Sequence, residues 1–335
     1  MQVDASAAVT ATPVEVEAAA VAAEADGYDG FGVPETRHDA FPALALAARA
    51  TSRISLHSAI AVAFARNPMS IAILANDIQL VSGGRFQLGL GSQVRQHIER
   101  RFSMQWSHPA ARMEEFIAAV RAIWHCWATG ERLAFRGTFY HHTLMTDFFN
   151  PGPNPCGNPP VMLAAVGELM TGVAGRVADG VLCHSFTTQA YLRERTVPAL
   201  LAARGNLAGF TISLPVFAVL GSDAAARARA EAGVRAQIAF YGSTPAYRAV
   251  LDLHGWGALH DQLNRLSRQQ AWAEMAALIS DDVLDAFALS GTPVQVAAEV
   301  RARFGELVDR VALYTPYQAN REDLTAATAA LRGQT

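Results

Sequence analysis

Short apolar runs alternate with stretches of helical period along nearly the whole chain, which is the pattern of an α/β protein. The runs that read as strands are QVDASA (2–7), GFGVPE (30–35), ISLHSAIAVA (54–63), RFQLGLG (85–91), PVMLAAV (160–166), GVLCHS (180–185), TISLPVFAVL (211–220) and DRVALYTPY (309–317). Helices lie between them. Asn67 caps one, with Pro68 in its first position and Met69, Ile73, Ile78 and Val81 approximating its apolar face. Another runs over about residues 109–128, with Met113, Phe116, Ile117, Val120, Ile123, Trp124 and Trp127 as its stripe and Gly130 just beyond its end. Thr292-Pro293-Val294-Gln295 is a capping box, opening a helix that ends near Gly305.

Eight strands, each but the last followed by a helix before the next, predict a (β/α)8 TIM barrel rather than a doubly wound sheet. Two intervals are too long for a minimal unit. Residues 129–159 end in a Pro/Gly/Asn-rich loop with room for a hairpin, and residues 242–291 are mostly helical in pattern. These excursions, after strands four and seven, are expected to wall the barrel mouth. Their aromatic residues Phe135, Phe139, Tyr140, Phe148, Phe149, Tyr241 and Trp256 suit an apolar lid, core or a dimer face equally. No repeat or linker divides the chain, so residues 1–335 are expected to form a single domain. The stretch SGGRFQLGLGSQ (82–93) raises the rival reading, a dinucleotide fingerprint. That motif needs a third glycine at the first strand–helix turn. Here Ser92, Gln93 and Val94 follow Gly91, in the middle of the series.

Composition removes several chemistries. The 335 residues are half apolar, 17% charged and carry a formal net charge of −3, which gives no bulk attraction to nucleic acid or membrane. No apolar run approaches about 18 residues, and the first residues lack the basic and apolar regions of a secretory signal, so a cytoplasmic protein is expected. Cys126, Cys156 and Cys183 share no metal-binding spacing, and no metal site is expected. All 27 basic residues are arginine. That excludes the P-loop lysine and Schiff-base chemistry, and leaves arginine, backbone N–H groups or a helix N-terminus to hold phosphate.

In a barrel, chemistry collects where strands end. The second strand ends in Pro34-Glu35-Thr36-Arg37-His38-Asp39, which could protonate or clamp a ligand, or equally form a loop capped by Asp39. The third ends in Ala59-Ile60-Ala61-Val62-Ala63, a flat apolar bed suited to a ring. The fifth gives Ala165-Val166-Gly167-Glu168 ahead of a helix, and the sixth His184-Ser185. His57 reads as buried and hydrogen-bonded, His125 as structural, and His97, His108, His254 and His260 as loop or surface residues. The His141-His142 pair has no second pair at ligand spacing, and no G-x-S-x-G elbow is present.

The segments VPETRHDAFPALALAA, HSAIAVAFARNPMSIAILANDIQLVSGGRFQLGLGSQV, RMEEFIAAVRAIW, VMLAAVGELMTGVAGRVADGVL and DRVALYTPY together resemble the bacterial luciferase-like superfamily. They look most like its deazaflavin (coenzyme F420)-dependent oxidoreductase branch. The resemblance implies hydride exchange between the deazaflavin and a small organic substrate, with His38 or Glu35 handling the proton. It places Thr36 beside the ring, a cis Ala59–Ile60 bond with Ala61 behind it, and Gly91, Ser92 and Gln93 near the ring or ribityl chain. Val166, Gly167 and Glu168 match the phosphate segment, and His184 lies near the next strand end. The other readings are a monooxygenase using flavin mononucleotide (FMN) and a flavin-binding barrel without turnover. A homodimer formed through helices near strands two to four is implied as well.

Two positions depart from the family pattern. Thr36 and Arg37 separate the acid from His38, and Glu168-Leu169-Met170 stands where relatives often carry Pro-Arg-Met. Arg176 or Arg37 would then have to supply the missing charge.

Overall fold

The computed structural model describes residues 1–333, so the last two residues of the expected domain lie outside the described residues. Eight parallel strands close into a barrel: β1 (Gln2–Ser6), β2 (Gly30–Val33), β3 (Ser55–Ser58), β4 (Phe86–Gly91), β5 (Val161–Ala165), β6 (Gly180–Cys183), β7 (Thr211–Leu220) and β8 (Arg310–Tyr314). β8 returns beside β1, with Val311 opposite Val3. The expected TIM barrel is therefore present. Most of the predicted runs extend past the observed strand at the mouth, because the backbone there leaves the ladder to form loops.

Two features of the sheet were not legible. β3 stops at Ser58, a cis Ala59–Ile60 peptide follows, and Ala61–Val62 then pairs with Leu90 and Gly91 of β4. The predicted continuous strand over 54–63 is thus broken. In addition, Ala288–Gly291 pairs with Phe217–Leu220 of β7, on the side where β6 pairs only with Thr211–Ser213. Its sequence, ALSG, carries no β-branched residue to mark it within a helical stretch.

Outward side chains such as Leu56, Leu88, Leu163, Val181 and Leu214 are buried between barrel and helices. The helix Pro109–Thr129 buries all seven predicted stripe residues and ends at Gly130, φ 74°. Trp124 Nε1 donates to the Ala72 carbonyl at 3.1 Å, docking it on the helix Pro68–Ser82. That helix is capped by Asn67 as predicted, and its predicted inner face holds at Ile78 and Met69 but not at Ile73 and Val81. Ile71, Ala72, Ala75, Ile78 and Gln79 point inward, whereas Ile73 and Val81 are exposed. Small alanines let the two helices approach, and buried Gln79 accepts the Phe86 N–H at 3.1 Å, so a polar residue interrupts the apolar period.

The first excursion carries the hairpin Phe135–Arg136/His141–His142. Glu115 fastens it by accepting the N–H groups of Thr138, Phe139 and Tyr140. The second forms short helices around a core of its own, including Leu251, Leu263, Met275 and Phe287, that joins the barrel at Phe186 and Phe217. His260 is buried there, with Nδ1 2.8 Å from the Gly242 carbonyl, which corrects its surface assignment. Among the described residues no helix is long and apolar enough to cross a membrane.

Inside the barrel, Arg310 and Asp4 form a buried ion pair at the foot, with Nε–Oδ2 at 2.8 Å, and Arg310 also donates to Ser55 Oγ. The inward positions above it are small or slender: Gly32, Gly89, Ala164, Leu182, Ser213, Pro215 and Ala312, whose side follows from strand alternation. The last five remain partly exposed while their outward neighbours Leu163, Val181, Ile212, Leu214 and Val311 are buried. Those five inward positions are therefore reached by solvent, while His57 and Leu182 fill the layer of Gly32 and Gly89. His57 is buried in the barrel, but among the described residues its Nδ1 has no partner, contrary to the hydrogen-bonded expectation. Burial holds its pKa below the ordinary imidazole value.

Candidate active site

The β2–β4 side of the mouth is a shallow bed made by the break in β3. Ser58 Oγ donates to the Gly89 carbonyl at 2.8 Å and accepts the Gly89 N–H at 2.9 Å. A Cβ on Gly89 would lie 1.8 Å from the Ser58 carbonyl oxygen, and one on Gly91 would lie 2.8 Å from two carbons of Ile60. Gly89 is required because the interrupted strand leans its backbone on β4, whereas Gly91 is crowded only by the Ile60 side chain, which gives the Gly89-x-Gly91 pattern its physical cause. Ala59, Ile60, Ala61 and Gly91 thereby sit together. Ser92 and Gln93 follow at the rim, partly exposed, with Gln93 in the left-handed region at φ 61°.

The β2 loop supports this bed. The Glu35 carboxylate accepts the Val62 N–H at 2.9 Å and Arg66 Nη1 at 2.8 Å, with its side chain 6% exposed. Arg66 also pairs with Asp39, which caps the helix Ala40–Ala50 by accepting the Phe41 N–H at 2.9 Å. Burial opposes the Arg66 charge, but Glu35 and Asp39 outweigh it and push its pKa up. Glu35 is thus engaged in positioning the resumed strand. Thr36 Oγ1 donates to the Val9 carbonyl, and Arg37 and His38 are exposed at the rim.

At the β5 turn, Gly167 precedes the helix Glu168–Val177, and no side chain caps its first N–H groups. Val166 and Gly167 lead into it, and the Glu168 and Leu169 side chains are exposed. Arg176 is at the other end of this helix, paired twice with Glu114 at 2.9 and 2.7 Å. It supplies no charge to the turn.

The opposite side of the mouth, β6–β8, is an aromatic wall. His184 stacks on Tyr247 with centroids 4.5 Å apart and meets Tyr241 edge-on at 4.6 Å. Phe217 of β7 lies 5.1 Å from Tyr314 of β8, and the Tyr241 and Tyr314 hydroxyls are 3.4 Å apart. Burial lowers the His184 pKa to about 4 and pushes Tyr247 up to about 12; Tyr314 is raised as well, by burial and by its Tyr241 contact. Phe186 N–H donates to His184 Nδ1 at 3.0 Å, so the neutral ring carries its proton on Nε2. His254, read as a loop or surface residue, lies in the turn after Leu253, with its Nε2 2.8 Å from Thr188 Oγ1.

Sequence reasoning placed His184 at this end but missed Tyr247, Phe217, Tyr314 and the Arg66 clamp as parts of one site. Tyr314 lies four residues after Arg310 on the same strand, so alternation alone puts both inside the barrel. Tyr241 was visible only as one aromatic among several.

The profile of the luciferase-like monooxygenase family matches residues 2–310. An uncharacterised protein of Mycobacterium tuberculosis is 52% identical, over 88% of this chain and 87% of its own. The 5,10-methylenetetrahydromethanopterin reductase of Methanolobus tindarius is 25% identical over 90% of each chain. Among solved structures, the coenzyme F420-dependent tetrahydromethanopterin reductase from Methanopyrus kandleri superposes with a TM-score of 0.78, covering 98% of this chain and 97% of its own at 17% identity. The EDTA monooxygenase of Chelativorans sp. BNC1 gives 0.70 over 99% and 93% at 16% identity. A barrel with a cis-bonded bed at the end of β3, matched by the family profile over almost its whole length, places this chain in the luciferase-like monooxygenase family.

Proposed function

We propose that the protein is an oxidoreductase that uses coenzyme F420 to exchange a hydride with a small organic substrate, and that its chain works as one domain. The observation that carries this is the bed of Ala59, Ile60, Ala61 and Gly91, which Gly89 and Gly91 keep low at the end of β4, facing partly exposed inward positions of the barrel. A flat ring fits there. Relatives named as F420-dependent enzymes, an oxidoreductase and a glucose-6-phosphate dehydrogenase, support the deazaflavin over other rings. When bound, the deazaflavin supplies the hydride; the chain's part is to orient the ring, exclude water and manage one proton.

In this reading Ala59, Ile60, Ala61 and Gly91 back the ring, while Thr36, Ser92 and Gln93 border it. The N–H groups after Val166 and Gly167 receive phosphate, with Glu168 reducing the attraction and, among the described residues, no arginine side chain bound to the turn. His38, exposed at the rim, is the proton-carrying residue of this proposal, and Glu35 acts through Arg66 and the backbone. A homodimer is part of the reading, supported by exposed Leu46, Ile73, Leu80 and Val81 on the helices after β2 and β3. Sedimentation velocity tests it.

A second reading has one observation in its favour. The wall of His184, Phe217, Tyr241, Tyr247 and Tyr314 contains no ionised group, which suits a dry oxygenase pocket using FMN. Fluorescence titration of the cofactor-free protein with F420 and separately with FMN separates them. Tight binding of F420 alone is expected. Binding of FMN alone, or of neither, refutes the proposal.

A further inference from the structure

The chain between β4 and the helix Pro109–Thr129, residues 92–108, folds back over two neighbouring strands before it reaches that helix. Arg101, just after the short helix Arg95–Arg100, donates from Nη2 to the Thr36 carbonyl of the β2 loop at 2.5 Å. Trp106 then meets Phe64 edge-on, with centroids 5.7 Å apart, in the segment that follows the bed. The sheet order β2–β3–β4 puts the end of β3, with Ala59 and Ile60, between the two ends of the Arg101–Thr36 bond. Residues 92–108 therefore form a strap across the outer edge of the bed.

Its attachments are unequal. Ile98 is fully buried and Trp106 partly so, and Arg112 secures that end by donating to the Gln105 carbonyl while lying over the Phe64 ring. Arg101 is exposed, makes no ion pair among the described residues, and holds the β2 loop by one bond to a carbonyl. Thr36 passes the tie on, since its hydroxyl donates to the Val9 carbonyl of the β1 loop. Among the described residues four besides glycine have φ in the left-handed region, and three lie in the strap: Gln93 (61°), Ser103 (54°) and His108 (40°). Residues with a side chain take that conformation at a cost, so the bends are held by the attachments and relax when one lets go. The exposed bond opens first, because local opening concentrates where few buried contacts oppose it.

We propose that residues 92–108 are a gate over the cofactor bed, latched by Arg101 on the Thr36 carbonyl, and that the latch releases each time a cofactor enters or leaves. This rests on the function proposed above and adds a positioning residue to it. Arg101 acts through the strap and through Thr36, and it sets the rate of exchange rather than the affinity.

Stopped-flow fluorescence of F420, and separately of FMN, mixed with cofactor-free protein gives the association and dissociation rates. Arg101→Ala should raise both about fivefold, the worth of one exposed hydrogen bond, and leave the dissociation constant within about twofold. Arg101→Lys keeps a donor of similar reach and should restore most of the slowing. A site merely loosened by the substitution would release cofactor faster without taking it up faster. Hydrogen exchange of the cofactor-free protein adds a readout that needs no ligand: in Arg101→Ala, peptides over residues 95–104 should exchange faster, while those over β4 stay unchanged. Equal rates in the variant, faster dissociation alone, or unaltered exchange over residues 95–104 overturns the gate and leaves the proposed function standing. Failure of both cofactors to bind the unsubstituted protein overturns the two together.

Discussion

Between neutral and mildly acidic pH, the His184 imidazole makes stability depend on protonation. Its pKa is about 4 in the fold against an ordinary 6.5, and desolvation by the surrounding rings is the cause. Between these values the unfolded chain binds a proton that the folded chain refuses, so stability is complete above pH 6.5 and falls as pH drops toward 4. The full gap corresponds to roughly 3 kcal/mol, of which about 2 kcal/mol is expressed between pH 7 and pH 5. Urea unfolding of the unsubstituted protein and of His184→Phe at both pH values measures it. His57 and His254 also have lowered pKa values, but they are present in both proteins and cancel in the difference. The stability difference should shift by about 2 kcal/mol in favour of the variant at pH 5. A difference that stays constant between the two pH values would show that His184 is solvated, and would refute the enclosed wall.

Other perturbations probe the bed, the foot and the phosphate turn. Gly89→Ala drives a methyl into a backbone carbonyl and should abolish folding, whereas Gly91→Ala meets only the Ile60 side chain and should cost about 1–3 kcal/mol while weakening cofactor binding; thermal melts and the cofactor titration check both. Asp4→Asn strips the counter-charge from buried Arg310 and should cost about 3–5 kcal/mol in urea unfolding. Glu35→Gln should cost about 1–3 kcal/mol, because Arg66 keeps only Asp39 as its charged partner, measured in the same way. Glu168→Gln removes a carboxylate where phosphate is expected and should tighten F420 or FMN by about 2- to 5-fold at low salt, read by fluorescence titration.

The barrel was legible because burial obeys two simple periods. Leu88 and Leu90 alternate outward from β4, and the stripe from Met113 to Trp127 repeats with the helix. Where a polar side chain satisfied a buried backbone group, as Gln79 does for Phe86, the period misled and Ile73 was placed inside. The resemblance indicated the bed, including the cis bond, but Arg66 was invisible because its partners Glu35 and Asp39 lie on the preceding strand loop, 27 to 31 residues away. The wall depends on contacts between β6, β8 and the helix after β7, and Tyr314 lies 73 residues from the Tyr241 hydroxyl it approaches. No local pattern records such a meeting. Arg176 illustrates the converse: near the phosphate turn in sequence, it faces away toward Glu114.

The two halves of the mouth are also written in separate parts of the chain. The bed and its clamp lie within residues 35–93, whereas the wall draws on residues 184–314, with Tyr241 and Tyr247 where the second excursion begins. Exchange of that excursion between homologous chains would replace Tyr247, the face on which His184 stacks, and leave the ring's seat intact. Substitutions in the two halves should therefore combine additively across their separation. Such a molecule can be recombined in blocks, acquiring new substrates by drift in one block while the other preserves its redox partner.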